Sequence, residues 1–94
     1  MTEANLQSNL VKYLKGKGCY VIKTKPGVGI PVGCPDIIFL YEGFWGAIEC
    51  KAMPNSTFNP LQTETIFKFD DWSWARIAHS ENYDEIIAEL ERIL

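Results

Sequence analysis

With 94 residues, 47% hydrophobic and 13% aromatic, the chain has the composition of a folded globular domain, which excludes a disordered segment and leaves no room for a separate binding module beside the core. No apolar stretch approaches the roughly 20 residues that span a bilayer. A formal net charge of −3 argues against an extended phosphate-binding surface, although the balance is uneven. Residues 1–51 carry six lysines against four acids, whereas residues 52–94 carry three basic residues against eight acids.

Thr2 is placed to cap a first helix in which Leu6, Leu10, Tyr13 and Leu14 recur at helical spacing until Gly16 and Gly18 stop it. Glu3 and Gln7 are four residues apart and share a helix face. By composition alone Glu3 is an acid favoured by the helix dipole. Cys19 to Thr24 reads as a first strand, followed by Lys23 and Lys25 as solvated charges or phosphate contacts. Pro26 to Pro35 holds three glycines and three prolines, so it is a loop. Its glycines, Gly33 among them, let backbone N–H groups approach a ligand closely.

The centre of the chain is a hairpin. Two apolar runs, Ile37–Tyr41 and Phe44–Ile48, flank Glu42-Gly43, a two-residue turn. Counting outward, Tyr41 faces Phe44, Leu40 faces Trp45, and Asp36 comes to lie opposite Glu49. Like charges at directly opposed positions repel, so folding alone gives no reason for this pair, whereas a hard divalent cation does. Lys51 shares that face by strand alternation. Ile38, Leu40, Trp45 and Ala47 fall on the same face, with Ile37, Phe39, Tyr41, Ile48 and Cys50 on the other. Both sets are apolar, so helices are expected over both faces.

Beyond the polar loop Met53–Asn59, Pro60 opens a second helix running to about Asp70, without a clean apolar stripe. Gln62 in its first turn reads as a surface polar residue. Trp72–Ala78 suggests a last strand, with Trp74 and Ala78 alternating against Arg76 and the tryptophans mainly in the core. His79 is a turn residue. Tyr83, Ile86, Ile87, Leu90, Ile93 and Leu94 form an amphipathic final helix with acids outward. Cys19, Cys34 and Cys50 show no metal or disulfide spacing. With the polar N-terminus, they suggest reduced thiols in a soluble cytoplasmic protein.

Pro35-Asp36, thirteen residues, then Glu49-Cys50-Lys51 resembles the PD-(D/E)xK nuclease superfamily. Gly33-x-Pro35-Asp36, the acid in the first helix and the glutamine after the Glu-x-Lys are similar to its virus-type replication-repair (VRR-NUC) branch. The resemblance spans nearly the whole chain, residues 1–94. It implies an α/β restriction-endonuclease-like core of order α-β-β-β-α-β with a C-terminal helix, a central mixed sheet flanked by helices.

It also implies a Mg²⁺- or Mn²⁺-dependent endonuclease, a homodimer acting on branched DNA such as four-way junctions, of the kind encoded by phages or mobile elements in a bacterial host. Asp36 and Glu49 would be metal ligands together with the Cys50 backbone carbonyl. Lys51 would orient or polarise water, Glu3 would be an accessory acid and Gln62 a support. Lys23, Lys25 and Gly33 are candidate DNA contacts. Two alternatives stay open: the same core cutting linear or single-stranded DNA, and a binding module without turnover.

Overall fold

The computed structural model describes residues 1–56 and 59–94. The expected loop Met53–Asn59 includes Thr57 and Phe58, which lie outside the described residues. Helix α1 spans Glu3–Gly16 and begins as its sequence requires, with the Thr2 hydroxyl accepting from the Asn5 N–H at 3.1 Å. Its Leu6, Leu10 and Leu14 are fully buried. Strand β1 is Tyr20–Lys23, β2 is Ile37–Tyr41 and β3 is Phe44–Cys50. Glu42 and Gly43 both have positive φ (44° and 86°), the signature of a tight type I′ hairpin turn. The register is Tyr41 with Phe44 and Leu40 with Trp45, as counted from the sequence.

Helix α2, Pro60–Trp72, starts with Pro60 in its first turn and the Asn59 carboxamide oxygen accepting from Leu61 N–H at 2.9 Å. It runs two residues past Asp70. Strand β4 is Trp74–Ala78 and helix α3 is Tyr83–Ile93. The sheet order is β1-β2-β3-β4, antiparallel except for the β3–β4 pair, which is parallel. The fold is therefore the mixed α-β-β-β-α-β core with a terminal helix. No helix among the described residues is long and apolar enough to cross a membrane.

The two faces of the sheet are covered unequally. On one, α1 and α3 bury Ile37, Phe39, Ile48, Cys50, Trp74 and Ala78. On the other, α2 packs principally over β3 and β4, with Ile66 against Ala47 and Ala75. Over β1 and β2 that second face stays open: Tyr20, Ile22 and Leu40 are exposed. Helices thus lie on both faces, as expected, but on the second face only over β3 and β4. The reason is that α2 leads directly into β4, which pairs with β3 and keeps the helix over that half of the sheet.

Arg76 corrects the expected alternation, because it shares the face of Trp74 and Ala78 instead of opposing them. Its guanidinium lies 4.9 Å from the Trp74 ring and pairs with Glu89 of α3 at 2.9 Å, so the charge is satisfied on a covered face. Trp74 is core and Trp45 is partly buried, while Trp72 is 64% exposed.

Gly46 is demanded by packing. An added Cβ would enter the van der Waals envelope of the Phe39 ring and sit 3.1 Å from Trp74 Cε3. Gly46→Ala is expected to destabilise by about 1–3 kcal/mol through overpacking, read as a lower urea midpoint at unchanged slope.

Candidate active site

The site forms where β2 begins and β3 ends. Extending the register by one pair beyond Ile37–Ile48 sets Asp36 opposite Glu49. Their side chains and backbones interlock: the Asp36 N–H donates to Glu49 Oε1 at 3.2 Å, and the Cys50 N–H donates to Asp36 Oδ2 at 2.9 Å. Glu49 is 1% exposed. Burial, and then the facing Asp36 charge, push its pKa from 4.5 up to about 7, against the opposing pull of Lys51. A buried carboxylate beside a second one is a costly arrangement for a fold to keep.

Lys51 lies on the same face. Its Nζ is 3.4 Å from Glu49 Oε2 and donates to Gln62 Oε1 at 3.1 Å. The glutamine in the first turn of α2 is thereby brought against the acid-lysine end of the sheet, tying helix and hairpin together through one ammonium group. The backbone of Lys51 is held as well, its N–H donating to the Ala78 carbonyl at 2.8 Å.

The Pro26–Pro35 loop borders the site, as expected from its position. It closes one side of a cavity of about 360 Å³ whose lining includes Thr24, Ile30, Pro31, Asp36 and Gln62. Gly33 has φ of 86°, and an added Cβ would lie 3.0 Å from the Leu61 carbonyl. Glycine here lets the loop lie directly on the first turn of α2.

Thr24 belongs to no motif, yet it anchors the loop. Its hydroxyl donates to the Pro35 carbonyl at 2.6 Å and its N–H to the Asp36 carbonyl at 2.9 Å. No side-chain pattern marks it: only the observed pairing of Lys23 with Ile37 sets Thr24 opposite Asp36.

The remaining candidates are placed less centrally. Glu3 is exposed at the start of α1, on the opposite face of the sheet from the Asp36 and Glu49 side chains. Its charge is felt at the Cys50 thiol, which burial and then Asp36, Glu49 and Glu3 push upward. Gln7 is half-buried one turn further along α1. Among the described residues no third His, Cys, Asp or Glu completes a three-ligand cluster. Lys23 also lies on the Cys50 face, and Lys25 is exposed on the loop. The three cysteines are free thiols.

The donor set is hard and anionic. Two carboxylates converge, one of them opposed in its ionisation by burial and by its neighbour, and a divalent cation would relieve both penalties at once. The residues present therefore fit such an ion.

The sequence matches no protein-family model and no curated protein. In structure the chain is similar to a solved VRR_NUC domain, with a TM-score of 0.72 and 21% identity over 94% of this chain and 96% of that one. It is also similar to Archaeoglobus fulgidus Hjc, a Holliday junction resolvase from an archaeal hyperthermophile, with a TM-score of 0.60 and 21% identity over 81% of this chain and 66% of that one. These likenesses establish that the chain has this fold.

Proposed function

We propose that the chain, residues 1–94 as one nuclease domain, is a metal-dependent endonuclease that hydrolyses phosphodiesters in branched DNA and works as a homodimer. The observation that carries the reading is the pairing of Asp36 with a buried Glu49, with Lys51 between Glu49 and Gln62. A binding module has no use for two facing carboxylates, whereas hydrolysis of a phosphodiester does.

Asp36 and Glu49 would hold the cation, Mg²⁺ or Mn²⁺, with the Cys50 backbone carbonyl as a third oxygen. When bound, the ion supplies Lewis acidity toward water and toward a phosphoryl oxygen. The protein does the rest. Asp36 is fixed by the Cys50 N–H, so its carboxylate does not have to reorganise when substrate arrives. Lys51 presents its ammonium to the attacking water and to the negative charge that grows on the phosphoryl oxygens, and Gln62 orients that ammonium.

The cavity bounded by the Pro26–Pro35 loop, lined in part by Asp36 and Gln62, would admit the scissile phosphate. Gly33 and Lys25 would contact the backbone on one flank, with Lys23 and the accessory acid Glu3 further out. The branched substrate is favoured because the fold is shared with a Holliday junction resolvase. The test compares cleavage of a labelled four-way junction with linear duplex of the same sequence in Mg²⁺, Mn²⁺ or EDTA. Cation-dependent nicking of the junction at least tenfold faster than of the duplex is expected. Equal rates would leave a nuclease without junction preference, and no cleavage with any cation would contradict the reading.

A further inference from the structure

We infer that the open half of the sheet, over β1 and β2 beside α2, is the surface on which a second copy of this chain packs about a two-fold axis. The inference rests on the homodimer of the proposed function and adds where the two copies meet. The surface is continuous. Tyr20 opposes Leu40 and Leu40 opposes Trp45 across the strands, and Ile22 lies two residues along on the same face. Trp45 meets Phe69 edge to face at 5.4 Å, and Phe69 meets Trp72 at 5.7 Å.

Tyr20 is 70%, Trp72 64%, Leu40 45% and Ile22 40% exposed. With aromatic side chains of about 150–250 Å² each, these residues offer roughly 500 Å² of mostly apolar surface. That is at the upper end of the patches found on monomers, about 300–600 Å², and a large part of the ~800 Å² per partner in a standard interface.

Charge decides against nucleic acid as the occupant. On this face the paired rows Tyr20–Leu40–Trp45 and Ile22–Ile38–Ala47 contain no basic residue, and α2 carries Glu64, Asp70 and Asp71 against Lys68 alone. Phosphates would find nothing to pair with there. Each chain has an uncovered floor over β1 and β2, and beside it a helix edge on which Phe69 is packed and Trp72 is exposed. A hollow of about 450 Å³ lies at the hairpin end of this floor, where Tyr20, Leu40 and Trp45 meet Gly18 and the turn from Tyr41 to Phe44. A two-fold rotation seats the Trp72 edge of each copy on the floor of the other, an isologous contact that closes on itself.

The same helix supplies a control. Phe67 is 70% exposed, but two residues from Phe69 it points to nearly the opposite side of α2. Asp70, on that other flank, reaches Arg76 of β4 at 2.5 Å. Phe67 is therefore outside the proposed contact.

The experiment is sedimentation equilibrium of the wild type, Tyr20→Lys, Trp72→Glu and Phe67→Glu, with circular dichroism to verify folding and junction cleavage assayed in parallel. Tyr20 and Trp72 are exposed enough that their substitutions should leave the fold intact. Wild type and Phe67→Glu are expected at twice the 10.7 kDa chain mass, with the dissociation constant of the other two variants raised at least tenfold. A wild type that sediments at the chain mass, or a dimer that both Tyr20→Lys and Trp72→Glu leave unchanged, would overturn the inference. So would a monomeric wild type whose junction binding Trp72→Glu weakens, which would assign the face to DNA. A monomer that cleaves contradicts this inference and leaves the nuclease reading standing, whereas a dimer that never cleaves does the reverse.

Discussion

Lys51→Ala is expected to lower the rate of junction cleavage by at least 10²–10³-fold, the usual consequence of removing one preorganised electrostatic group from a hydrolytic site, while junction binding changes by less than threefold. The split follows from where the ammonium sits. It lies 3.4 Å from the buried Glu49 and 3.1 Å from Gln62, at the acids rather than on an outlying phosphate-binding surface. Its charge is therefore worth most where charge develops during reaction. Single-turnover cleavage and fluorescence anisotropy on the same junction separate the two quantities. Lys51→Arg should not rescue fully, because a planar fork cannot meet both Glu49 and Gln62 as a point charge does. Equal losses in binding and cleavage would instead make Lys51 a phosphate contact.

Glu49→Gln is expected to stabilise the metal-free protein at pH 8 while abolishing its response to divalent cations. In the fold the Glu49 pKa lies near 7 instead of 4.5, so the folded state favours the protonated acid. The stability this group contributes is complete below about pH 4.5 and is lost as pH rises toward 7, because the unfolded chain releases the proton first. The loss is on the order of 2–3 kcal/mol. Glutamine removes the ionisation and still offers an oxygen to the Asp36 N–H, but places an amide N–H₂ toward Lys51. A net gain of about 1–2 kcal/mol at pH 8 is therefore expected, with little gain at pH 5. Urea unfolding in EDTA at the two pH values measures it. In wild type, millimolar Mn²⁺ should raise the midpoint at pH 8 and less so at pH 5, since ligands must shed protons to bind.

The hairpin and its facing acids were legible in the sequence because strand periodicity is rigid: once Glu42-Gly43 is the turn, counting alone sets Asp36 against Glu49. The helix capped by Thr2 and the amphipathic α3 were legible for the same reason, a regular period with recognisable ends. Gln62 was not, since nothing in its local sequence says that α2 returns across the sheet to meet Lys51. It came from the family resemblance. Thr24 escaped notice because its role is a pair of hydrogen bonds to backbone, which carry no side-chain pattern.

Arg76 misled because its polarity was set above the strand period, which by itself puts positions 74, 76 and 78 on one face. A charged residue in a strand reads as outward, but an ion pair with Glu89 and the Trp74 face make the covered side acceptable. Tyr20, Ile22 and Leu40 misled in the opposite sense, since apolar residues on a strand are read as buried, and only the position of α2 over β3 and β4 shows that they are not. Glu3 was joined to the site by the family resemblance alone, since as a first-turn acid it reads only as a partner of the helix dipole.

The central claim is that Asp36 and Glu49 together form a divalent-cation site, and calorimetric titration of Mn²⁺ into the wild type, Asp36→Asn and Glu49→Gln at pH 8 tests it without any assumption about substrate. The account predicts saturable binding to the wild type that is lost or weakened at least tenfold in both variants. Binding that both variants retain at wild-type strength, or a wild type that binds no Mn²⁺ at millimolar concentration, would contradict it.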